Sequence, residues 1–366
     1  MSVKIDLSEK LKNIIFIEIK DISILTSVLK PDSSFIKHLN DNKQELFLPI
    51  DTKFITNKIS KTKDFNNIPF SEIFYAMFYC ISLNEEFKYN NLYKKLLEES
   101  KNGIVFLKSK IAENIKNNNL EEAYILMKVL VQIQGDEEAL EKIVCICDSL
   151  RKKNRFYEEE ELDYIQKLIQ MRNYALPYLY LSSIYFDNNE FELSLINLNL
   201  YFEKGGKEDK LILELKNKLL FKVDYNKAKE ILYDKPIEAL KLFLKLLEEE
   251  EEDPLLYYYI AIAYRIIGNH EKAIYYLNES LSIESNYVEV FNELGLNHAC
   301  IRDFNRALNY FKKAFEAIKT VEICTNIIMC HLELNHREEA MSYLKIAKSI
   351  DAEDEIVLQL EKILKE

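Results

Sequence analysis

Between residues 254 and 354 the apolar positions of this chain recur in one order three times. Tyr257, Ile260, Ala261 and Tyr264 are followed by Ala273 and Leu277. Phe291, Leu294, Gly295 and His298 are followed by Ala307 and Phe311, and Cys324, Ile327, Ile328 and His331 by Ala340 and Leu344. The three alanines stand 34 and 33 residues apart. Positions at i, i+3, i+4 and i+7 share one face of an α-helix, and the alanine with its large successor shares a face of a second helix. Neither helix can bury its stripe alone, so the pattern predicts helix pairs stabilised by stacking on their neighbours. Ala261, Gly295 and Ala273 are small enough for two helices to cross closely, with larger side chains filling the space around them.

Upstream the same order continues with variations. Tyr178, Leu181, Ser182 and Tyr185, then Ser194 and Leu198, form a unit over 175–208 that ends at Gly205 and Gly206. The two serines stand in for small residues without adding bulk. The interval from Ser194 to Ala239 is 45, whereas Ala239 to Ala273 returns to 34. The surplus at 209–219 predicts one long helix over 211–233, ahead of a unit over 220–253 built on Ala239 and Phe243. Pro236 begins the following helix, where a missing amide costs nothing. Residues 248–252, all glutamate, read as a solvated helix end, because adjacent carboxylates point in different directions. Asp253 and Pro254 then cap and start the next unit. Over 102–174 the pattern is degenerate: Leu107, Ile111 and Ile115 lead to Ala123, Met127 and Leu130. Gly135 ends that helix, Asp136 caps a helix over 137–152, and a partner helix follows over 157–171. After Asp354, the residues Ile356, Val357, Leu360, Ile363 and Leu364 form a stripe. Glu355, Gln359, Glu361, Lys362 and Lys365 face away from it, as an end cap requires.

Residues 1–100 lack the repeat. Leu7, Leu11, Ile14, Ile15, Ile22, Leu25 and Leu29 have helical spacing, with Asp6 available as a cap. Residues 14–19 are also β-branched enough to form a strand. Pro31 ends this stretch, short segments follow at 35–39 and 54–59, and the lysine-rich run 58–63 reads as a solvated loop. A stronger helix starts at Ser71, with Ile73, Phe74, Met77, Phe78 and Ile81 on one face and Tyr75, Tyr79 and Cys80 widening it. It is expected to be buried on two sides and to dock the N-terminal region onto the repeats. The chain thus reads as a mostly helical, non-repeat region over 1–100 and a solenoid over 101–366. Its clearest units are 175–208, 220–253, 254–287, 288–320 and 321–354, with a capping helix at 355–366.

An aromatic residue, a Leu-Gly pair, a tyrosine, then alanine and phenylalanine on a 34-residue period resembles the tetratricopeptide repeat (TPR). The resemblance is specific over 254–354, good over 175–208, weaker over 220–253 and 102–174, and absent before residue 100. It implies an all-α, right-handed solenoid of antiparallel helix pairs whose first helices line a concave groove for peptides or partner helices. The stripe that in this family points into the groove comprises Leu255, Tyr258, Ile262, Arg265 and Ile266 in one repeat. In the next it comprises Glu289, Asn292, Leu296, Ala299 and Cys300, and in the third Glu322, Thr325, Met329, Leu332 and Glu333. Phe221, Asp224, Ala228 and Ile231 precede it. The repeat itself does not require this stripe to be apolar, and a helix apolar almost all round must bury its second face against something. Either a long N-terminal segment or the next repeat covers it, or it takes an apolar or aromatic side chain of a partner, with Arg265 holding a carboxylate or carbonyl. Such a partner would carry apolar anchors flanked by Lys or Arg. Some family members clamp a C-terminal carboxylate with Lys and Asn at successive groove positions. Here Tyr258, Ile262, Asn292 and Leu296 stand there, which argues against a receptor for chaperone tails.

Composition narrows the alternatives. The 366 residues are 48% hydrophobic and 30% charged, as in a folded soluble protein, and six Gly with six Pro leave little material for an all-β fold. A net charge of −12, without a basic face interleaved with aromatics, argues against nucleic acid. Residues 1–20 carry charges throughout what would be the apolar core of a secretory signal, and no uncharged apolar run is long enough to span a membrane. The six cysteines show no disulfide framework and read as reduced cytoplasmic thiols. His298, Cys300, Cys324, Cys330 and His331 crowd neighbouring repeats. They occupy packing positions without the short CxxC or HxxxH spacing of a zinc site, so no metal or cofactor is expected. No GxGxxG, P-loop, GxSxG or HExxH motif is present. The leading expectation is a non-enzymatic adaptor that binds a protein or peptide, with homo-oligomerisation left open. The alternatives are a regulatory sensor, in which a peptide or the N-terminal segment occupies the groove, and an enzyme with its site in the N-terminal region.

Overall fold

Five helix-to-helix turns of the chain share one backbone device. Asn118, Asn189, Gly268, Arg302 and Asn335 adopt left-handed φ values of 58°, 61°, 88°, 61° and 61°. Each stands five residues before a fully buried small residue: Ala123, Ser194, Ala273, Ala307 and Ala340. The residue after each one donates its amide back across the turn, as Asn269 does to the Tyr264 carbonyl and His336 to the His331 carbonyl (2.9 and 2.8 Å). This is a Schellman closure, which satisfies the last carbonyls of one helix and aims the chain into the next. The turn appears between residues 102 and 134 as well, where the side-chain pattern alone was degenerate.

The computed structural model describes residues 7–42, 44–56, 68–84 and 86–365. The chain divides into two units, Met1–Glu208 and Asp209–Glu366, a division that falls inside the stretch read above as one solenoid. The first unit holds helices α1 (Phe35–Asp41), α2 (Phe70–Leu83), α3 (Asn90–Glu99), α4 (Gly103–Lys116) and α5 (Leu120–Ile133). It continues with α6 (Glu137–Arg151), α7 (Glu158–Met171), α8 (Leu176–Asp187) and α9 (Phe191–Glu203). Helices α4 to α9 pack consecutively, and α2 packs on α3, α4 and α5.

The helix suggested by the spacing of Leu7 to Leu29 does not form. A 3-10 turn over Leu7–Asn13 leads into strand β1 (Ile14–Glu18), which pairs antiparallel with β2 (Phe47–Asp51), Phe16 opposite Pro49. A second 3-10 turn, Ile22–Ser27, follows, capped by Asp21. The β-branched run favours the pleated conformation once a partner strand is within reach, and that partner arrives from about thirty residues away, where local spacing cannot report it. The Asp6 cap and the run 58–63 lie outside the described residues; of the segment at 54–59 only its first part is described, and 52–56 is helical. Helix α2 does dock the N-terminal region: it packs on β2, on the Leu7–Asn13 turn and on α5. Tyr75 and Tyr79 both donate from α2 to Glu122 of α5 (3.1 and 2.6 Å), and Lys10 pairs with the same carboxylate.

The second unit begins with the long helix α10 (Lys210–Ile231), followed by α11 (Pro236–Leu247), α12 (Pro254–Ile267), α13 (His270–Ile283) and α14 (Val288–Cys300). Helices α15 (Phe304–Ala317), α16 (Val321–Glu333), α17 (Arg337–Ile350) and α18 (Glu355–Lys365) complete it. Each helix packs on the next, and the first helices also touch one another, α12 on α14, α14 on α16 and α16 on α18. The apolar stripe of α18 is narrower than its sequence suggests. Val357, Leu360 and Leu364 are buried, whereas Ile356 and Ile363 are about half exposed.

At the crossings, volume is exchanged between partners. Gly295 lies under Phe311, where a Cβ at Gly295 would come within 2.5 Å of the ring. In the flanking repeats Ala261 is matched by Leu277 and Ile328 by Leu344 within their clusters. In the α8–α9 pair the small residues are serines, both fully buried, whose hydroxyls lie 3.0 Å apart while Ser194 also donates to the Ser182 carbonyl (2.7 Å).

Gly295→Ala is expected to destabilise the chain by about 1–2 kcal/mol, because overpacking outweighs the better helix propensity of alanine. Adding Phe311→Leu should restore part of the loss, and a thermal double-mutant cycle measures the coupling. Arg302→Gly should stabilise by roughly 0.5–1 kcal/mol, since the left-handed backbone strains a residue with a Cβ. A lower melting temperature for that variant would contradict this account of the turn.

Candidate functional site

The stripe left over by the repeat lies on α12, α14 and α16. Helix α12 is set by its ends: the Asp253 carboxylate accepts from the Leu255 amide (2.8 Å), Pro254 occupies the first turn, and Gly268 closes the last. Along this helix the structure separates residues that the sequence grouped together. Leu255 is 40% exposed, and Tyr258 is half-buried against the rings of Tyr259 and Tyr287, with centroids 5.4 and 5.3 Å away. Burial pushes the Tyr258 hydroxyl well above the usual phenol range.

Ile262 is only 4% exposed and belongs to the core around Phe243, Leu256 and Ile260. It is therefore not an open groove residue. Helix α12 is apolar nearly all round and is flanked by α11, α13 and α14, which leaves this position no route to solvent.

Arg265 also has a different role from the one expected. Its Nε donates to Glu293 Oε2 of α14 at 2.7 Å, and a second guanidinium nitrogen reaches Oε1 at 3.4 Å. Glu293 is 7% exposed; burial raises its carboxyl above the ordinary range, and Arg265 opposes that shift. The guanidinium is thus committed to tying one repeat to the next rather than waiting for a partner's carboxylate. Asn297, one turn further along α14, is fully buried and extends the network: it donates to the Glu293 carbonyl (2.8 Å), and its Oδ1 lies 3.0 Å from His270 of α13.

On the later repeats Asn292 and Leu296 are half-buried, Thr325 is 2% exposed and Met329 is 51% exposed. Thr325 donates its hydroxyl to the Glu322 carbonyl one turn back (2.8 Å), so it too is part of the framework. The exposed acids Glu289, Glu322 and Glu333 flank these positions. Of the preceding stripe, Ala228 is fully buried, and Asp224 is paired with Lys245 at 3.0 Å. What stays open is an apolar set, Leu255, part of Tyr258, part of Leu296 and Met329, bordered by carboxylates.

The residues weighed for metal binding serve packing positions. His298 stacks on Tyr310 and His331 on Tyr343, with centroids 5.4 and 5.8 Å apart. Cys324 donates to the Tyr343 carbonyl, and burial pushes the Cys324 and Cys330 thiols up to about 11. Cys300 is exposed. Among the described residues no helix is long and apolar enough to cross a membrane.

Glu293 and Asn297 were not singled out in the sequence. Their partners lie 28 and 27 residues away, so only the repeat spacing combined with a polar residue on an otherwise apolar face could have marked them.

Removing either half of the ion pair should have unequal consequences. Arg265→Ala strands a buried carboxylate and is expected to cost about 2–3 kcal/mol, more than Glu293→Gln, whose neutral amide leaves Arg265 partly solvated. The stranded carboxyl has a folded-state value raised above its unfolded value, so its stability contribution is present at low pH and lost as pH rises through the folded value. The Arg265→Ala deficit should therefore narrow on acidification, which denaturant titrations at pH 7 and 4.5 check.

No protein-family model matches the chain, and no curated protein matches it in sequence. Among solved structures it is similar to YrrB, described as a TPR protein with an unusual peptide-binding site: 20% identity over 54% of this chain and 97% of that one, TM-score 0.40. A TPR repeat-containing protein from Cytophaga hutchinsonii shows 15% identity over 69% of this chain and 98% of its C-terminal part, TM-score 0.41. The first TPR of Spaghetti (RPAP3), bound to the HSP90 peptide SRMEEVD, shows 16% identity over 31% of this chain and 93% of that one, TM-score 0.31. These likenesses are distant, and the assignment of fold stands on the chain's own helix pairs. The repeated residue order, the buried small residue in six of the second helices and the Schellman turn that precedes five of them together define an all-α fold of stacked helix pairs of the tetratricopeptide-repeat type.

Proposed function

We propose that this protein is a non-enzymatic, cytoplasmic adaptor that binds a segment of another protein along the first-helix face of α12, α14 and α16. The observation that carries this reading is the exposure of Leu255 and Met329, at 40% and 51%, on helices whose remaining apolar residues are largely buried. Both lie on the stripe that the repeat itself does not require to be apolar, and apolar surface gathered on one face marks an interaction site. The bordering acids Glu289, Glu322 and Glu333 suit a partner that carries Lys or Arg beside apolar anchors, either as an amphipathic helix or as an extended segment. Arg265 supplies no charge to this partner, since Glu293 already holds it.

Variants at the open positions test the reading. Ile262 is unsuitable as a probe, because a charge there would unfold the repeat. Leu255→Glu combined with Met329→Glu should leave helicity and melting temperature near those of the wild type. It should remove the proteins that the wild type enriches in affinity purification with mass spectrometry. An unchanged set of bound proteins would refute a site on this face.

A further inference from the structure

In three consecutive repeats the last position of the first helix's stripe stacks on a tyrosine twelve residues later: Tyr264 on Tyr276, His298 on Tyr310 and His331 on Tyr343. The stacking is conserved in geometry, with centroids 5.5, 5.4 and 5.8 Å apart and interplanar angles of 16°, 15° and 25°. The chemistry is not. A tyrosine stays neutral throughout the physiological range, whereas an imidazole takes a proton within it. His298 and His331 are each 4% exposed. Both ring nitrogens of His331 are shielded from solvent without a hydrogen-bond partner, and so is Nδ1 of His298.

We propose that His331 and His298 form an acid-sensitive latch, in which a proton on either ring opens the helix pair that encloses it. The charges around each ring set their relative strength. His331 on α16 faces Lys312 from α15, and His336, Glu339 and Tyr343 from the turn and α17. Two of these groups are basic and repel a second positive charge, leaving Glu339 as the single carboxylate that would favour it. His298 on α14 faces Asp303 (3.8 Å), Arg306 and Tyr310, so a carboxylate is closer and the latch is weaker. In both cases burial holds the ring below the ordinary imidazole range, which agrees with the absence of partners. A folded value below the unfolded one means that stability is intact above the unfolded value of 6.5 and is lost as pH falls from there toward the folded value. Helices α14 and α16 also carry Asn292, Leu296 and Met329, so opening would dismantle the proposed docking face; that consequence rests on the functional reading above, the latch does not.

Hydrogen exchange of the full-length protein alone, read as protection factors at pH 7.5 and 5.5, tests the latch without any partner. Each ring that stays neutral in the folded pair should lower the protection of its own pair by up to about tenfold between these conditions. Peptides from α16–α17 should lose most, those from α14–α15 less, and those from α12–α13, where Tyr264 replaces the histidine, should change little. The His331→Tyr and His298→Tyr double variant, which installs the residue of the first repeat, should remove the difference between the pairs. Equal acid sensitivity of all three pairs in the wild type, or an unaltered profile in the double variant, would overturn the proposal. An exchange profile of the wild type that stays the same from pH 7.5 to 5.5 would overturn it as well.

Discussion

Everything in this molecule depends on how closely two helices can approach where they cross. At that point the second helix offers Ala123, Ser194, Ala239, Ala273, Ala307 or Ala340, each fully buried. A larger side chain would hold the axes apart, and the flanking apolar residues would lose contact with one another. The first helix meets this demand in several ways. In one pair it offers Gly295 and accepts a phenylalanine, in another it offers Ala261 and accepts a leucine, and in a third it offers Ser182 and satisfies the polar atoms with a second serine. At all of these crossings but that of Ala239, a left-handed residue five positions before the small one makes the crossing reproducible, because it fixes where the second helix starts relative to the first. Register and volume thus enforce one another.

The polar interior follows from the same closeness. Once helices from adjacent pairs are near enough to share a core, a charged residue on the shared face must find a partner on its neighbour. In the second unit Arg265 and Glu293 do this across one repeat. In the first unit Arg151 of α6 contacts Asp148 of its own helix, Glu161 of α7 and Asp187 of α8, at 2.9, 2.8 and 2.5 Å. Three carboxylates around one guanidinium leave an excess of negative charge. The fully buried Glu161, whose second oxygen has no partner, is pushed up to about 7 by burial. Arg151 and its partners tie three consecutive helices together where the repeat pattern is weakest. They take over a task that small-residue crossings perform elsewhere.

How much could be read in advance varies with the range of the interaction. Helices α10, α11, α12 and α18, with the cap at Asp253, follow from spacing and end signals, because both act within a few residues. The ribbon of β1 and β2 was legible only as an ambiguity, since Ile14–Glu18 needs Phe47–Asp51 beside it before strand becomes the better choice. The stripe on α12 was the least legible. Leu255, Tyr258, Ile262 and Arg265 look equivalent on a helical wheel, yet they end as an exposed leucine, a half-buried tyrosine, a core isoleucine and an ion-paired arginine. Their differences come from α11, α13 and α14, and a wheel contains none of these.

The amino-acid order by itself determined that the chain forms helix pairs, where most of them begin and end, and which residues meet at their crossings. These outcomes depend on periodicity, capping and the size of single side chains, all of which are local properties. The tertiary structure alone decided which face of each helix stays open and which charges are spent inside. Burial and pairing are relations between segments 20 to 40 residues apart, and a side chain acquires them only when its neighbours arrive. For this protein that distinction removes Ile262, Thr325 and Arg265 from the proposed docking face, the first two by burial and the third by its ion pair, and leaves Leu255, Leu296 and Met329 on it.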